Sequence, residues 1–376
     1  KMNKIYNEAC SSPVYYIGIM SGTSLDGIDV ILADFASQRP SLLYTLYQPY
    51  DRDLRHQILD LHQSSNNELH LVSMLNNKLA KYYANAVINL LNKHNIKPDS
   101  ITAIGCHGQT IRHCPEPSKG YSIQLGNASL LAELTGITVV ADFRSRDIAA
   151  GGQGAPLVPA FHQLMFQDQK INRAIVNIGG ISNITNLSSN KKIIGFDCGP
   201  GNLLMDAWCQ RHLGTKYDNN GIWAESGEVI PKLLEELISL EFFSIPPPKS
   251  TGREIFNLTW LENHLSGNEK IEDVQATLLQ LTCTTITNAI RKWIPDTSEV
   301  YLCGGGARNI ALSTKIRISL LNKKVALTDV LGIDADWLEA LSFAWLAKQT
   351  IQGLPGNLPS VTNAKGERIL GAIYQA

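Results

Sequence analysis

Apolar residues in this chain gather into short continuous runs bounded by polar, glycine-bearing turns, and longer stretches with helical spacing lie between those runs. The first run sets the pattern. Tyr15–Phe35 reads as a strand, a turn at Ser21–Gly27 and a second strand, and Ser41–Tyr47 extends the same sheet. Asp51–Asn95 is mostly helical, with apolar residues at Leu54, Ile58 and Leu61, then at Leu71, Met74, Leu75, Leu79, Val87, Leu90 and Leu91, and it covers one sheet face. Ile101–Cys106 is a buried strand emptying into a polar loop, His107–His113. A helix over Ala128–Leu134, a strand over Ile137–Phe143 and a glycine- and proline-rich loop over Arg144–His162 follow.

The second half starts over. Arg173–Leu187 is again strand, glycine-bounded turn and strand, and Gly180 lies 158 positions after Gly22. That separation is about one domain length and suggests an internal duplication. A strand at Lys192–Phe196 runs into Asp197-Cys-Gly-Pro-Gly-Asn and a helix containing Leu203, Leu204, Met205 and Trp208. Asp197 therefore stands at a strand end, where a carboxylate either caps the helix or faces a cleft. Asn219–Ile294 is mainly helical, interrupted at Pro246–Asn257. Val300–Asn309 is a strand ending in three glycines before a helix, and Trp337–Ala347 is a last amphipathic helix bearing Glu339.

Composition narrows the classes of partner. With 376 residues, 44% hydrophobic and 18% charged, the chain is an ordinary globular protein of two or more domains. A formal net charge of −1 and 33 scattered Lys and Arg leave out the basic stripe of a nucleic-acid binder, so a small-molecule partner is expected. Seven widely spaced cysteines (Cys10, Cys106, Cys114, Cys198, Cys209, Cys283 and Cys303), with no C-x-x-C pair, argue against a disulfide framework or zinc site and for a reducing cytoplasm. The opening KMNKIYNEACSSP lacks the apolar run of a signal peptide, and no later stretch approaches a membrane span.

The chemistry concentrates in the turns. Ser21–Gly27 packs two glycines, three hydroxyls and a carboxylate into seven positions, a composition suited to bringing backbone N–H groups and hydroxyls against phosphate, with Asp26 holding a magnesium ion. An ordinary hairpin turn with Asp26 capping its own backbone is the competing reading. The spacing of Gly22 and Gly27 imitates a P-loop, but Ile28-Asp29 stands where Lys and Ser/Thr belong, and a strand follows in place of a helix.

Taken together, MSGTSLDGID (Met20–Asp29), HGQTIRH (His107–His113), DFRSRDIAAGGQGAPLVP (Asp142–Pro159), NIGGISN (Asn177–Asn183), GFDCGPGN (Gly195–Asn202), STGRE (Ser250–Glu254) and CGGGARN (Cys303–Asn309) resemble the anhydro-N-acetylmuramic acid kinase family, within the actin, Hsp70 and sugar-kinase ATPase superfamily. The resemblance runs from about Tyr15 to Tyr374. It implies an α/β fold of two actin-like ATPase domains, each a mixed sheet flanked by helices, at 14–170 and 171–376 around a cleft, with the last helix packing back on the first domain. It implies an ATP- and Mg²⁺-dependent kinase in bacterial cell-wall recycling that opens the 1,6-anhydro ring with water and phosphorylates O6. Gly22, Thr23, Ser24, Leu25, Asp26, Gly27, Ile28 and Asp29 are then assigned to ATP phosphates and magnesium, Gly179 and Gly180 to the second phosphate hairpin, and Gly304, Gly305, Gly306 and Ala307 to adenosine. The sugar side falls to His107, Gln109, Thr110, Arg144, Asp147 and Glu339, with Asp197 as general base. Cys198 replaces the Thr that many members carry. The partner implied is 1,6-anhydro-N-acetylmuramic acid, with neither nucleic acid nor membrane, and homodimer formation is left open. A kinase of another small sugar or carboxylate, or a non-enzymatic ATP switch, are the alternatives.

Overall fold

The structure, a computed structural model, describes residues 12–116 and 118–376; Cys10 and most of the opening stretch lie outside them. The first lobe comprises β1 (Tyr15–Ser21), β2 (Gly27–Asp34), β3 (Ser41–Pro49), α1 (Arg52–Asp60), α2 (Glu68–Lys93), β4 (Ile101–Cys114), β5 (Tyr121–Leu125), α3 (Ala128–Thr135), β6 (Val139–Ala141), α4 (Ser145–Ala149) and α5 (Pro159–Phe166). Next come β7 (Arg173–Ile178), β8 (Ile181–Leu187), β9 (Ile194–Pro200), α6 (Leu203–Leu213), α7 (Ile222–Ser226), α8 (Pro231–Ile238), α9 (Leu258–Glu262), α10 (Ile271–Trp293), β10 (Glu299–Cys303), α11 (Ile310–Ser319) and β11 (Lys324–Leu327). The chain closes with α12 (Leu338–Ile351), α13 (Pro359–Thr362) and β12 (Ala372–Tyr374).

Both sheets are built on one plan. In the first, β3-β2-β1 is an antiparallel meander, and β4 and β6 continue parallel to β1. In the second, β9-β8-β7 is the meander, and β10 and β11 continue parallel to β7. The duplication read from the two hairpins is thus a duplication of topology, with the turns at Gly22 and Gly180 in equivalent places. β1 and β7 are apolar almost throughout because each lies mid-sheet with helices over both faces.

Three cores follow from this layering. The outer face of the first sheet packs under α1, α2 and α3, and that of the second under α6, α10 and α11. Between the inner faces lie α5 and α12, with Phe161, Leu338, Leu341, Phe343 and Trp345 among the buried residues. α12 lies tight on β1 and β4 because the register partners Gly18 and Gly105 present no side chain: a Cβ on either would overlap the carbonyl of Ala340 or Phe343. The amphipathic character expected of this helix is not found, since residues from Leu338 to Ala347 other than Glu339 are buried, as a helix between two sheets requires.

Other differences concern where polar residues sit. His107–His113 is no loop: β4 continues to Cys114, because β5 pairs antiparallel with its second half, and the arm bends at Gly108 (φ +75°). β6 is shorter than expected, ended by Asp142 at φ +57°. The loop expected over Arg144–His162 contains α4 and α5, the latter with Pro159 at its first position. β9 runs past Phe196 to Pro200, so Asp197 is inside a strand, opposite Asn183.

Candidate active site

The tips of β1–β2 and β7–β8, the C-terminal end of β10 and the bent arm of β4 all open into one cleft between the lobes, with a volume of ≈ 2370 Å³. That exceeds a typical single-ligand pocket of about 300–1,000 Å³, leaving room for a nucleotide and a second substrate. Asp26, Asp29, His107, Thr110, Arg144, Gly179, Gly180, Asp197 and Glu339 line it together, as do Gly22, Thr23, Ser24, Gly27 and Gly304–Gly306.

The two hairpin tips meet. A Cβ on Gly180 would overlap Thr23 Oγ1, and one on Gly201 would overlap the Gly179 carbonyl, so bare backbone is what lets these turns approach. Arg253, from the loop between α8 and α9, donates from Nε to the Thr23 carbonyl at 2.7 Å and from Nη2 to the same oxygen, tying the first tip to the second lobe. At the end of β10, Gly304 adopts φ +79° against Asn177 and Ile178, while Gly305 has nothing within 4 Å of a Cβ position. Buried polar atoms around the second tip lack protein partners: Asn177 Oδ1, Asn183 Oδ1, Asn202 Oδ1 and Thr251 Oγ1, all on cleft-lining residues. Orphaned polar atoms beside exposed glycine backbone fit a phosphorylated, hydrogen-bonding ligand.

Carboxylates crowd the first tip. Burial, then the like charges of Asp26, Glu339 and Asp336, push Asp29 up to about 8; burial, then Asp26, does the same to Asp206 on α6. Ser24 Oγ donates to Asp26 Oδ1 at 2.6 Å. Such mutually repelling carboxylates suit a divalent cation. Among the described residues no group of three or more His, Cys, Asp or Glu is placed to hold a metal alone, as suits Mg²⁺, which keeps waters and shares phosphate oxygens.

Deeper in, a second set of charges faces the cleft. Arg144 is anchored at two points: Nη1 donates to the Gly154 carbonyl at 2.7 Å and Nη2 to His107 Nε2 at 2.6 Å. His107 Nδ1 donates to the Gly108 carbonyl at 2.6 Å, which fixes the neutral tautomer; burial, then the Arg144 charge, hold its pKa down at about 3. Asp197 Oδ2 accepts the Thr251 N–H at 2.9 Å, and among the described residues nothing donates to Oδ1. Burial pushes Asp197 up to about 7, against the Thr251 N–H and the Arg144 charge. Burial also raises Glu339, with Asn177 and Arg144 opposing. The helix-cap alternative for Asp197 fails, since its hydrogen bond goes to another loop and the α6 cap residue is Asn202.

Several expected contact residues do not reach the cleft. Leu25 and Ile28 are core residues that pin the turn from below, and Ala307 packs into the second lobe's core. Gln109 is buried behind the turn, taking the Ser21 hydroxyl at 2.5 Å and donating to the Gly22 carbonyl at 3.2 Å. Asp147 is buried among protein donors. Cys198 turns away, its Sγ donating to the Ser182 carbonyl at 3.3 Å, so no hydroxyl contact is lost to the cleft there. Thr251 and Arg253, from the Thr251-Gly-Arg-Glu stretch that reads either as a ligand contact or as an ordinary loop, stand at the cleft, and Asp206 and Asn177 stand there without having been assigned a role. Arg253 and Thr251 were legible in the STGRE stretch; Asp206 resembles any acid in a first helical turn.

Comparison with known proteins agrees with this geometry. The family described as anhydro-N-acetylmuramic acid kinase matches residues 14–376. The proteins of that name from Nitrosomonas europaea and Nitrosospira multiformis are 61% and 60% identical, covering 96% of this chain and 100% and 99% of theirs. The one from Pseudomonas syringae pv. syringae is 52% identical over 96% of this chain and 99% of its own. Two lobes of one topology around a phosphate-type cleft therefore belong to a sugar kinase, and the chain is a member of the anhydro-N-acetylmuramic acid kinase family.

Proposed function

We propose that this kinase opens the 1,6-anhydro ring of 1,6-anhydro-N-acetylmuramic acid with water and phosphorylates O6, serving cell-wall recycling in the cytoplasm, with lobes 14–170 and 171–376 closing on the substrates. Bound Mg²⁺–ATP supplies the phosphoryl group that O6 accepts. The turns at Gly22–Asp29 and Gly179–Gly180 hold its phosphates, the Gly304–Gly306 turn its nucleoside, and Asp26, with Asp29 beside it, the cation. Asp197 takes a proton from the water that attacks C1, while the C1–O6 bond breaks and O6 keeps the bonding electrons. Arg144, fixed by Gly154 and His107, faces the sugar with Glu339 and holds Asp197 toward its ionised form.

The observation that carries this reading is the Asp197 carboxylate: buried, with one oxygen held by Thr251 N–H, the other without a donor, and a pKa of about 7. A base tuned near neutral pH suits proton abstraction from the attacking water. Because an Asp can equally take the proton of a hydroxyl that accepts a phosphoryl group, the fate of the water oxygen separates this reading from simple phosphoryl transfer. In ¹⁸O-water the sugar product should carry label at O1 and the phosphate none. Label in phosphate, or an unlabelled sugar, refutes the reading.

A further inference from the structure

Asp147 lies in the glycine-rich stretch between Arg144 and Gly154, yet it is fully buried and does not line the cleft. Its oxygens meet three donors: Gly154 N–H on Oδ2 at 2.8 Å, and Asn357 Nδ2 and Thr362 Oγ1 on Oδ1 at 2.7 and 2.6 Å. The surrounding backbone is stitched the same way, with Gln153 N–H donating to the Thr362 carbonyl and Lys365 N–H to the Ala150 carbonyl, both at 2.8 Å. Gly152 leaves the space this carboxylate fills, because a Cβ there would overlap Oδ2.

Two of these partners lead to cleft residues. The Gly154 carbonyl accepts Arg144 Nη1. Thr362 ends α13, whose Val361 packs on Gly195 of β9, two positions before Asp197. We propose that Asp147 is a positioning residue that sets Arg144 against Asp197: through Gly154 it fixes the guanidinium carried by one lobe, and through Thr362 and α13 it references that group to the strand bearing the carboxylate in the other.

The residue type is dictated by the donors. Two acceptor oxygens without a proton are what only a carboxylate of this length offers. Asn357 cannot flip to relieve a replacement amide, because its Oδ1 accepts Arg368 N–H at 2.7 Å. Asp147→Asn therefore turns an NH₂ group toward at least one buried donor while changing the volume hardly at all.

The inference rests on the reading of Arg144 as a group that faces the sugar. Its test uses the full-length enzyme and Asp147→Asn, Thr362→Val, Arg144→Lys and the Asp147/Arg144 double variant, with sugar and ATP varied separately. For Asp147→Asn, kcat/KM for the sugar should fall about 10- to 100-fold while KM for ATP stays within about twofold. In the Arg144→Lys background the same change should add little, because the group it positions is already altered. If Asp147→Asn does not fold, Thr362→Val should show the same selective loss at a smaller size, about threefold to tenfold. A crystal structure of D147N (or of T362V) should show Arg144 displaced from Gly154 and His107, a readout independent of any substrate. Equal losses for ATP and sugar, full additivity with Arg144→Lys, or Arg144 unmoved in the variant would each overturn the positioning role. Wild-type enzyme inert toward the anhydro-sugar, with Arg144 displaced in D147N, would overturn the substrate instead.

Discussion

Replacing Asp197 by Asn separates chemistry from architecture. The amide oxygen can keep the Thr251 N–H bond, so the loop over β9 stays in place, while the oxygen without a donor becomes an NH₂ group that cannot take a proton. Holding this buried carboxylate ionised costs the ligand-free protein on the order of 4 kcal/mol above pH 7, given a rise from 3.8 to about 7. The variant should therefore melt no lower than the wild type at pH 8. Arg144 remains charged, since a guanidinium does not give up its proton in this pH range and Glu339 and Asp147 still support it. Turnover should fall by about two to four orders of magnitude, the usual worth of a general base. In the wild type, kcat/KM should rise about tenfold per pH unit up to about pH 7 and then level, because only the ionised form accepts the proton; the variant should lose that acid limb. A coupled ADP-release assay with the anhydro-sugar, run from pH 5 to 9, reads both quantities. A variant keeping more than about a tenth of wild-type turnover, or the same acid limb, would remove Asp197 from the base position.

Asp26→Ala should leave the fold intact and lower activity sharply even at saturating magnesium, since the lost charge lies at the turn tip; undiminished activity would take Asp26 out of the site. For Asp29, the folded pKa of about 8 lies above the ordinary value, so its contribution to stability is complete in acid and disappears as pH rises through 8. Asp29→Asn should accordingly raise the melting temperature of ligand-free protein by about 1–3 °C at pH 8.5, not at pH 4, while reducing Mg²⁺–ATP turnover. Gly180→Ala should raise KM for ATP on the order of tenfold by forcing the tips apart, and Thr23→Gly should restore part of the loss; an unchanged KM would show that the contact is not needed.

The parts of this fold that the sequence reveals are those where local pattern and tertiary role coincide. Both hairpins, the three-glycine turn and the duplication show because glycine-bounded turns between apolar runs have few other meanings. The β4 arm was obscured because HGQTIRH reads as polar loop until Tyr121–Leu125 supplies a partner strand. Burial, which no turn chemistry announces, separates Asp147 from Asp197: both sit in polar, glycine-rich segments, but one faces three protein donors and the other a cleft. Contacts between the lobes, such as Arg253 on Thr23, join residues 230 apart in the chain, and no local signal encodes them.

The seating of α12 on Gly18 and Gly105, with β12 on the edge of β6, also sets an order of assembly during synthesis. The first sheet emerges from the ribosome early, but its inner face stays uncovered until residues 338–351 emerge, and its far edge until 372–374. The lobe begun first is completed last. Until then its apolar strands are exposed to chaperones and to neighbouring chains, so a nascent chain halted after β11 carries an uncovered first lobe, although its second sheet already has all five strands.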